Sequence, residues 1–391
     1  MNDFVYQNPA KIIFGKNTEC KAASEILPYG NKVLLVLGGS FIKENGLYDR
    51  VVSSFDEVGI EYFDLEDITP NPRLCEVKKG IEICKNNDIN FVLAIGGGSA
   101  IDTAKTIAAA MRTEGEIWDY FDNFTKFVTD ALPIGVILTL PATGSECSNC
   151  AVITNEKTNL KRSLFTDSII PRFAILNPEM SYTLPSIQSA SGAMDMFSHL
   201  LEMYFTPAQS TDFTDRLLEG AMKSVMHFAP LALKEPDNYD VRAELFLAAN
   251  IINNGILAVG RAGGDWGSHN IEHEISSMYN IPHGMGMGIV FPAWMRYCWK
   301  KDVKRFVQLS ERVFGVEYAR GDDEHIVIAG IEKLEEFIKS LNLPIHLSDI
   351  GYGKDKIDEI AHNALIGRYG IGMYLTLDEH DVREVLNIAA G

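Results

Sequence analysis

A chain of 391 residues outgrows one hydrophobic core, so two domains are expected. Hydrophobic residues make up 46% and charged residues 23%, which excludes a disordered or fibrous chain. The net charge of −18 repels phosphate backbones and anionic lipid, so nucleic-acid and membrane partners are not expected.

The opening residues, MNDFVYQNPAKIIFG, lack the basic start and long apolar segment of a secretory signal. VLLVL (33–37) and GVILTL (135–140) are strand-sized, well short of the ~20 residues a membrane span needs. Six scattered cysteines fit reduced thiols, and the expected location is the cytoplasm.

Along the chain, KVLLVLGGS (32–40) reads as a buried strand ending in glycines. NGLYDRVVSSFDEVG (45–59) has helical periodicity, IEYFDLED (60–67) is a second strand, and PRLCEVKKGIEICKNND (72–88) is helical again. INFVLAIGGGSAIDTAKTIAAAM (89–111) reads as strand, glycine turn and helix. LPIGVILTLPAT (132–143) is another buried strand. Continuous apolar strands alternating with amphipathic helices predict an α/β, Rossmann-like domain with a parallel sheet covered on both faces. After LNPEMSYTLPS (176–186) strand-like runs almost vanish and helical periods dominate. A boundary near Pro185 gives an α/β domain over 1–185 and an all-helical domain over 186–391.

AIGGGSAIDTAK (94–105) is the clearest nucleotide signal. Glycines let the backbone approach a pyrophosphate, and a helix N-terminus adds free N–H groups and the positive end of its dipole. The spacing is not G-x-G-x-x-G. A second turn, LGGSFIKENG (37–46), falls where a doubly wound sheet meets the cofactor ribose. It carries Gly39, Ser40 and Lys43 but no carboxylate at the turn itself, which favours NADP(H) over NAD(H). The loop LTLPATGSECSNCAVITNE (138–156) offers small hydroxyls, among them Thr139 and Thr143, and the cysteine pair Cys147 and Cys150, which reads as a coincidence of spacing.

Asp195 and His199, spaced i,i+4, would share one face of an otherwise apolar helix, where a polar pair needs a partner. His269 and His273 repeat that spacing, and His283 follows closely. Asp195, His199, one of the helical pair and His283 make a mixed oxygen and nitrogen donor set suited to Fe²⁺, Zn²⁺ or a similar ion. Spacing alone leaves open which of His269 and His273 is the ligand.

With these residues assembled, the sequence resembles the iron-containing (group III) alcohol dehydrogenases, in particular their NADPH-dependent butanol dehydrogenase and aldehyde reductase branch. The resemblance rests on FVYQNPAKIIFG, GGGSAIDTAK, LPATGSE, NPEMSYTLP, the Asp195/His199 helix and HNIEHEISSMYNIPHG, in that order along nearly the whole chain. It implies a dehydroquinate synthase-like architecture, with dinucleotide and metal in a cleft between the domains, and a homodimer. It also implies Asp195, His199, His269 and His283 as ligands and His273 as a nearby histidine that relays protons. Cofactor contacts would fall on Gly39, Ser40, Asn71, Gly97, Gly98, Ser99, Asp102, Thr139, Thr143, Lys161 and Tyr182. The implied reaction interconverts small primary alcohols and aldehydes. Polyol oxidation of the glycerol dehydrogenase kind and a non-catalytic nucleotide- or metal-binding protein are the alternatives. The C-S-N-C insertion departs from the family's usual small-residue pattern after LPATGSE.

Overall fold

The structure, a computed structural model, describes residues 1–121, 125–317 and 322–391. Six strands make one wholly parallel sheet: β1 (Lys11–Phe14), β2 (Lys32–Leu37), β3 (Glu61–Leu65), β4 (Phe91–Gly96), β5 (Ile134–Leu138) and β8 (Phe173–Leu176). Their spatial order is β1-β8-β5-β4-β2-β3. β6 (Cys150–Asn155) and β7 (Leu160–Phe165) form a separate antiparallel hairpin. The sequence reading treated 150–155 as part of a loop; the structure makes it a strand.

The alternating side chains of these strands feed two cores. On one face Leu34, Val36, Val92 and Val136 pack against α4 (Leu74–Asn87) and α5 (Gly98–Ala110). On the other, Val33, Leu35, Leu93 and Ile175 pack against α1 (Ala22–Ile26) and α3 (Leu47–Asp56), with the short α2 (Phe41–Glu44) between them in the chain. Burial on both faces is why these strands read as unbroken apolar runs. The chain leaves β2 for β3 on one side and returns to β4 on the other, so the strand order reverses between β2 and β4. A doubly wound sheet takes its ligand at the carboxyl ends of the strands at such a point.

Helices α6 (Ser186–Tyr204), α7 (Asp212–Lys234), α9 (Gly267–Tyr279), α10 (His283–Cys298), α11 (Val303–Arg312), α12 (Asp323–Ser340), α13 (Ile357–Ala364) and α14 (Glu379–Ala390) build the rest, with α8 (Tyr239–Asn253) apart from them. The chain divides into two compact units. One comprises Gln7–Leu184 and Pro236–Asn254, the other Met1–Tyr6, Pro185–Glu235 and Gly255–Gly391. A single cut at 185 therefore describes neither the first six residues nor α8. Asn250 of α8 donates to Glu146 at 3.0 Å and Asn253 to the Thr143 carbonyl at 2.8 Å, which ties that helix to the sheet-bearing unit.

In the helical unit α6 is the axis, buried continuously from Ala190 to Tyr204. Beyond its end Phe205 packs its ring on Trp294 and Phe306, with centroids 4.9 and 4.7 Å away. Arg305 donates to the Tyr204 carbonyl at 3.0 Å and binds Asp215, which also pairs with Arg261. Burial alone would raise the Asp215 carboxyl, but the two guanidinium groups outweigh it and hold it down at about 2. No helix among the described residues is long and apolar enough to cross a membrane.

Candidate metal centre

Asp195, His199 and Glu202 occupy one face of α6 at i, i+4 and i+7. All three are buried, with 4%, 7% and 1% of their surface exposed, a cost that hydrogen bonds or a bound cation must offset. Helix α9 brings His269, also buried. One donor atom from each of Asp195, His199 and His269 lies within 4.8 Å of the others. His273, one turn further along α9, does not join that group; it clusters with Glu272 and His283.

His283 is the first residue of α10, directly after Pro282. A close approach of helix backbones carries it in. A Cβ on Gly284 would fall 1.8 Å from the Ser191 carbonyl oxygen, so only glycine lets α10 start against α6 here. His283 Nε2 then lies 3.5 Å from Asp195 Oδ1, and His199 Nε2 lies 3.6 Å from the same oxygen. The His199 and His269 rings are 4.7 Å apart and the His269 and His283 rings 5.3 Å. One carboxylate and three imidazoles thus converge within a single unit of the protein.

The donor chemistry fits a divalent cation. Burial, then the neighbouring His269 and His283 imidazoles, push His199 well below its ordinary range, so it stays neutral with a lone pair to give. His199 Nδ1 is buried with no hydrogen-bond partner among the described residues. Mixed carboxylate and imidazole sets suit Fe²⁺ and Zn²⁺.

The entry to α9 is unusual. Trp266, at its N-cap, has φ +64°, a left-handed conformation costly for a bulky residue. Its N–H donates to Glu202, and its indole lies edge-on to the rings of His199 and His269, with centroids 5.3 and 5.1 Å away. The sequence reading missed Trp266, Glu202 and Glu272. The signal for Glu202 was present: an acid three residues after His199 on the same apolar helix.

All eleven residues expected at the cofactor belong to the sheet-bearing unit. Gly39 and Ser40 form the turn after β2, while Gly97, Gly98, Ser99 and Asp102 open α5. These two turns touch: the Gly38 N–H donates to the Ile95 carbonyl at 3.0 Å, and a Cβ on Gly96 would lie 3.2 Å from Gly38 Cα. They therefore meet at the point where the strand order reverses. Thr139 follows β5, and its N–H donates to Gly96 at 3.0 Å; the Thr143 hydroxyl accepts from the Ser145 N–H. Lys161 Nζ reaches Asn71 Oδ1 at 3.0 Å, joining two residues ninety positions apart. Tyr182 follows the short turn Pro178–Ser181 beyond β8, and burial pushes its phenol up.

One expectation changes in detail. Lys43 is not a spare cation beside the ribose turn, because it pairs with Asp64 at 3.3 Å and with Glu66. The Asp102 carboxylate already accepts from the Ser145 hydroxyl at 2.7 Å and the Val152 N–H at 3.0 Å. Cys147 is a buried thiol in no disulfide among the described residues, and burial raises it well above its ordinary range.

This combination of doubly wound sheet, helical unit and converging donor side chains has known relatives. Residues 9–178 match the iron-containing alcohol dehydrogenase family, and residues 189–390 match the C-terminal domain of the Fe-containing alcohol dehydrogenase family. The chain belongs to the iron-containing (group III) alcohol dehydrogenases, close to their butanol dehydrogenase and aldehyde reductase branch, and is an oxidoreductase acting on CH–OH groups. It is 42% identical over 390 residues to the probable NADH-dependent butanol dehydrogenase 2 of Bacillus subtilis, covering 99% of each chain. It is 36% identical over 356 residues to the NADPH-dependent aldehyde reductase YqhD of Escherichia coli, covering 90% of each. The crystal structure of NADH-dependent butanol dehydrogenase A from Thermotoga maritima superposes with a TM-score of 0.96 at 39% identity, covering 100% of this chain and 99% of that one.

Proposed function

We propose that this protein reduces small unbranched aldehydes with NADPH, and oxidises the corresponding primary alcohols in reverse, around one Fe²⁺ or Zn²⁺ held by Asp195, His199, His269 and His283. The observation that carries this reading is the convergence of one carboxylate and three imidazoles inside a buried helical unit. When bound, the cation supplies Lewis acidity towards a substrate oxygen and the nicotinamide supplies the hydride. The chain's own part is to hold the donors, orient the dinucleotide on the two glycine turns and keep water out. Arg261 is the cation nearest the ligands in sequence, and it is committed to Asp215 and the Met203 carbonyl. That favours an uncharged substrate over a phosphorylated or carboxylated one.

His273 exchanges a proton through an imidazole nitrogen and binds no metal in this reading. Its ring lies 5.6 Å from that of His283, and it is only half-buried. His273→Ala should keep one equivalent of metal while turnover falls by about 10²-fold, the lower end for loss of a general acid–base group. Metal analysis beside kcat checks this, and a metal-free His273→Ala protein would make His273 a ligand.

The nucleotide preference rests on the turn after β2, because relatives are named for either nucleotide. No carboxylate stands at Gly38–Ser40 to bond a ribose 2′-OH or repel a 2′-phosphate, and Ser40 offers a hydroxyl. With Lys43 committed elsewhere, the expected preference is modest. Metal-reconstituted protein assayed on butyraldehyde should show kcat/KM about tenfold higher with NADPH than with NADH, a difference of about 1.4 kcal/mol. A tenfold preference for NADH reverses the assignment, and absence of turnover on a panel of aldehydes removes the catalytic reading.

A further inference from the structure

We propose that Glu202 and Glu272 are positioning residues for the metal centre: each carboxylate takes the Nδ1–H of one ligand histidine, His269 and His283 respectively, and thereby presents Nε2 of that ring to the ion. The inference rests on the metal assignment above and on no assumption about substrate.

His269 Nδ1 lies 2.7 Å from Glu202 Oε1. The same carboxylate accepts from the Ser268 hydroxyl, the Trp266 N–H and the His269 N–H, the last at 3.3 Å. The Ser268 hydroxyl and two backbone N–H groups already donate to Glu202, so the carboxylate is set as the acceptor for Nδ1 as well, which places the proton of this imidazole on Nδ1 and the lone pair on Nε2. Glu202 therefore fixes the tautomer of His269, its ring plane and the left-handed Trp266 beside it. It does so from α6, the helix that carries Asp195 and His199.

The second pair repeats the chemistry with different parts. His283 Nδ1 contacts Glu272 Oε2, and Glu272 is fully buried on α9. A Cβ on Gly286 would fall 2.4 Å from Glu272 Oε1, so α10 closes on that carboxylate without room for a side chain. His283 Nε2 is left towards Asp195. His199 differs, since its Nδ1 has no hydrogen-bond partner among the described residues and its ring is placed by packing against Trp266 and His269. The three imidazoles are consequently unequal: two are held by carboxylates on other helices, and one is held by neighbouring rings.

A rival reading exists. One donor atom from each of Glu272, His273 and His283 lies within 4.8 Å of the others, the geometry of a second ion site. In that case Glu272 would bind metal itself and a second equivalent should load.

The test uses full-length protein and Zn²⁺ titrated against a competing chromophoric chelator. Wild-type protein should bind one equivalent. Glu202→Gln and Glu272→Gln should each still bind one, about 10–100-fold more weakly, the usual cost of removing a carboxylate behind a ligand histidine. Glu219→Gln serves as the control, because it removes a buried carboxylate that pairs with Tyr204 and Arg312 instead. It should leave the affinity unchanged. Wild-type affinity in both Gln variants overturns the inference while leaving the metal assignment standing. Two equivalents in wild type, falling to one in Glu272→Gln, overturn it for Glu272. Wild-type protein that takes up no zinc overturns both readings. Should a Gln variant fail to fold, nitrogen NMR of zinc-loaded wild-type protein labelled at histidine decides. His269 and His283 should be protonated at Nδ1 and metal-bound at Nε2, and the reverse pattern in either overturns its assignment.

Discussion

His283→Ala should lose its metal and at least about 10³-fold in kcat/KM while the helical unit stays folded. His283 alone among the proposed ligands sits at a helix start, and its side chain is 20% exposed, so truncation leaves only a small void. The chemistry is less forgiving. Lewis-acid assistance is worth several kcal/mol of transition-state stabilisation, and about 4 kcal/mol already corresponds to about 10³ in rate. Glu272 also loses the imidazole donor described above, a local cost of about 1–3 kcal/mol for a buried acceptor. The expected pattern is near-zero bound metal, unchanged helical circular dichroism and a small drop in melting temperature. A full equivalent of metal with wild-type turnover would remove His283 from the site, and collapse of the helical signal would make its role structural.

The sheet was legible because strands buried on both faces must be apolar throughout, and VLLVL, FVLAI and GVIL say so without help from tertiary structure. The helices of the second half were legible from period alone. The hairpin β6–β7 was not, because CAVITN and LKRSLF mix polar and apolar residues and follow a loop rich in small hydroxyls. Helix α8 has a clear period, but periodicity reports which face is buried and not against what. Its assignment depends on Asn250 meeting Glu146, 104 residues away. Spacing also found Asp195 with His199 but left His269 and His273 equivalent. They separate only when α6, α9 and α10 are assembled, since one turn of helix decides which ring meets Asp195. Lys43 illustrates the opposite error. A cation near a turn looks available in sequence, yet β3 runs parallel beside β2 with Leu65 level with Val36, and so sets Asp64 and Glu66 within its reach.

Lys105→Met should be strongly destabilising to the sheet-bearing unit although it keeps most of the side chain's volume. Lys105 is wholly buried on α5, yet its ammonium is fully engaged. It donates to the Ser145 hydroxyl at 3.1 Å, the Ser148 carbonyl at 2.8 Å and hydroxyl at 3.1 Å, and the Cys150 carbonyl at 2.9 Å. Those acceptors span the turn between β5 and β6, the segment that also carries Thr143. Burial lowers the Lys105 ammonium, opposed first by the Asp102 charge; burial raises Asp102, opposed first by the Lys105 charge. Each thus makes the other's burial tolerable. Methionine keeps most of the volume, so no large cavity complicates the result, but it leaves Asp102 without its compensating charge and the turn without its donor. The two charges meet through the Ser145 hydroxyl, which accepts from Lys105 and donates to Asp102, and stranding one of two such buried groups costs about 3–5 kcal/mol. In a unit of this size that is a fall of roughly 10 °C in melting temperature. NADPH affinity should fall with it, because Asp102 and Thr143 belong to the proposed cofactor surface. Calorimetry with and without NADPH separates the two effects. A variant melting within 2 °C of wild type would mean that Lys105 is neutral in the folded protein and that the turn is held by its own hydrogen bonds.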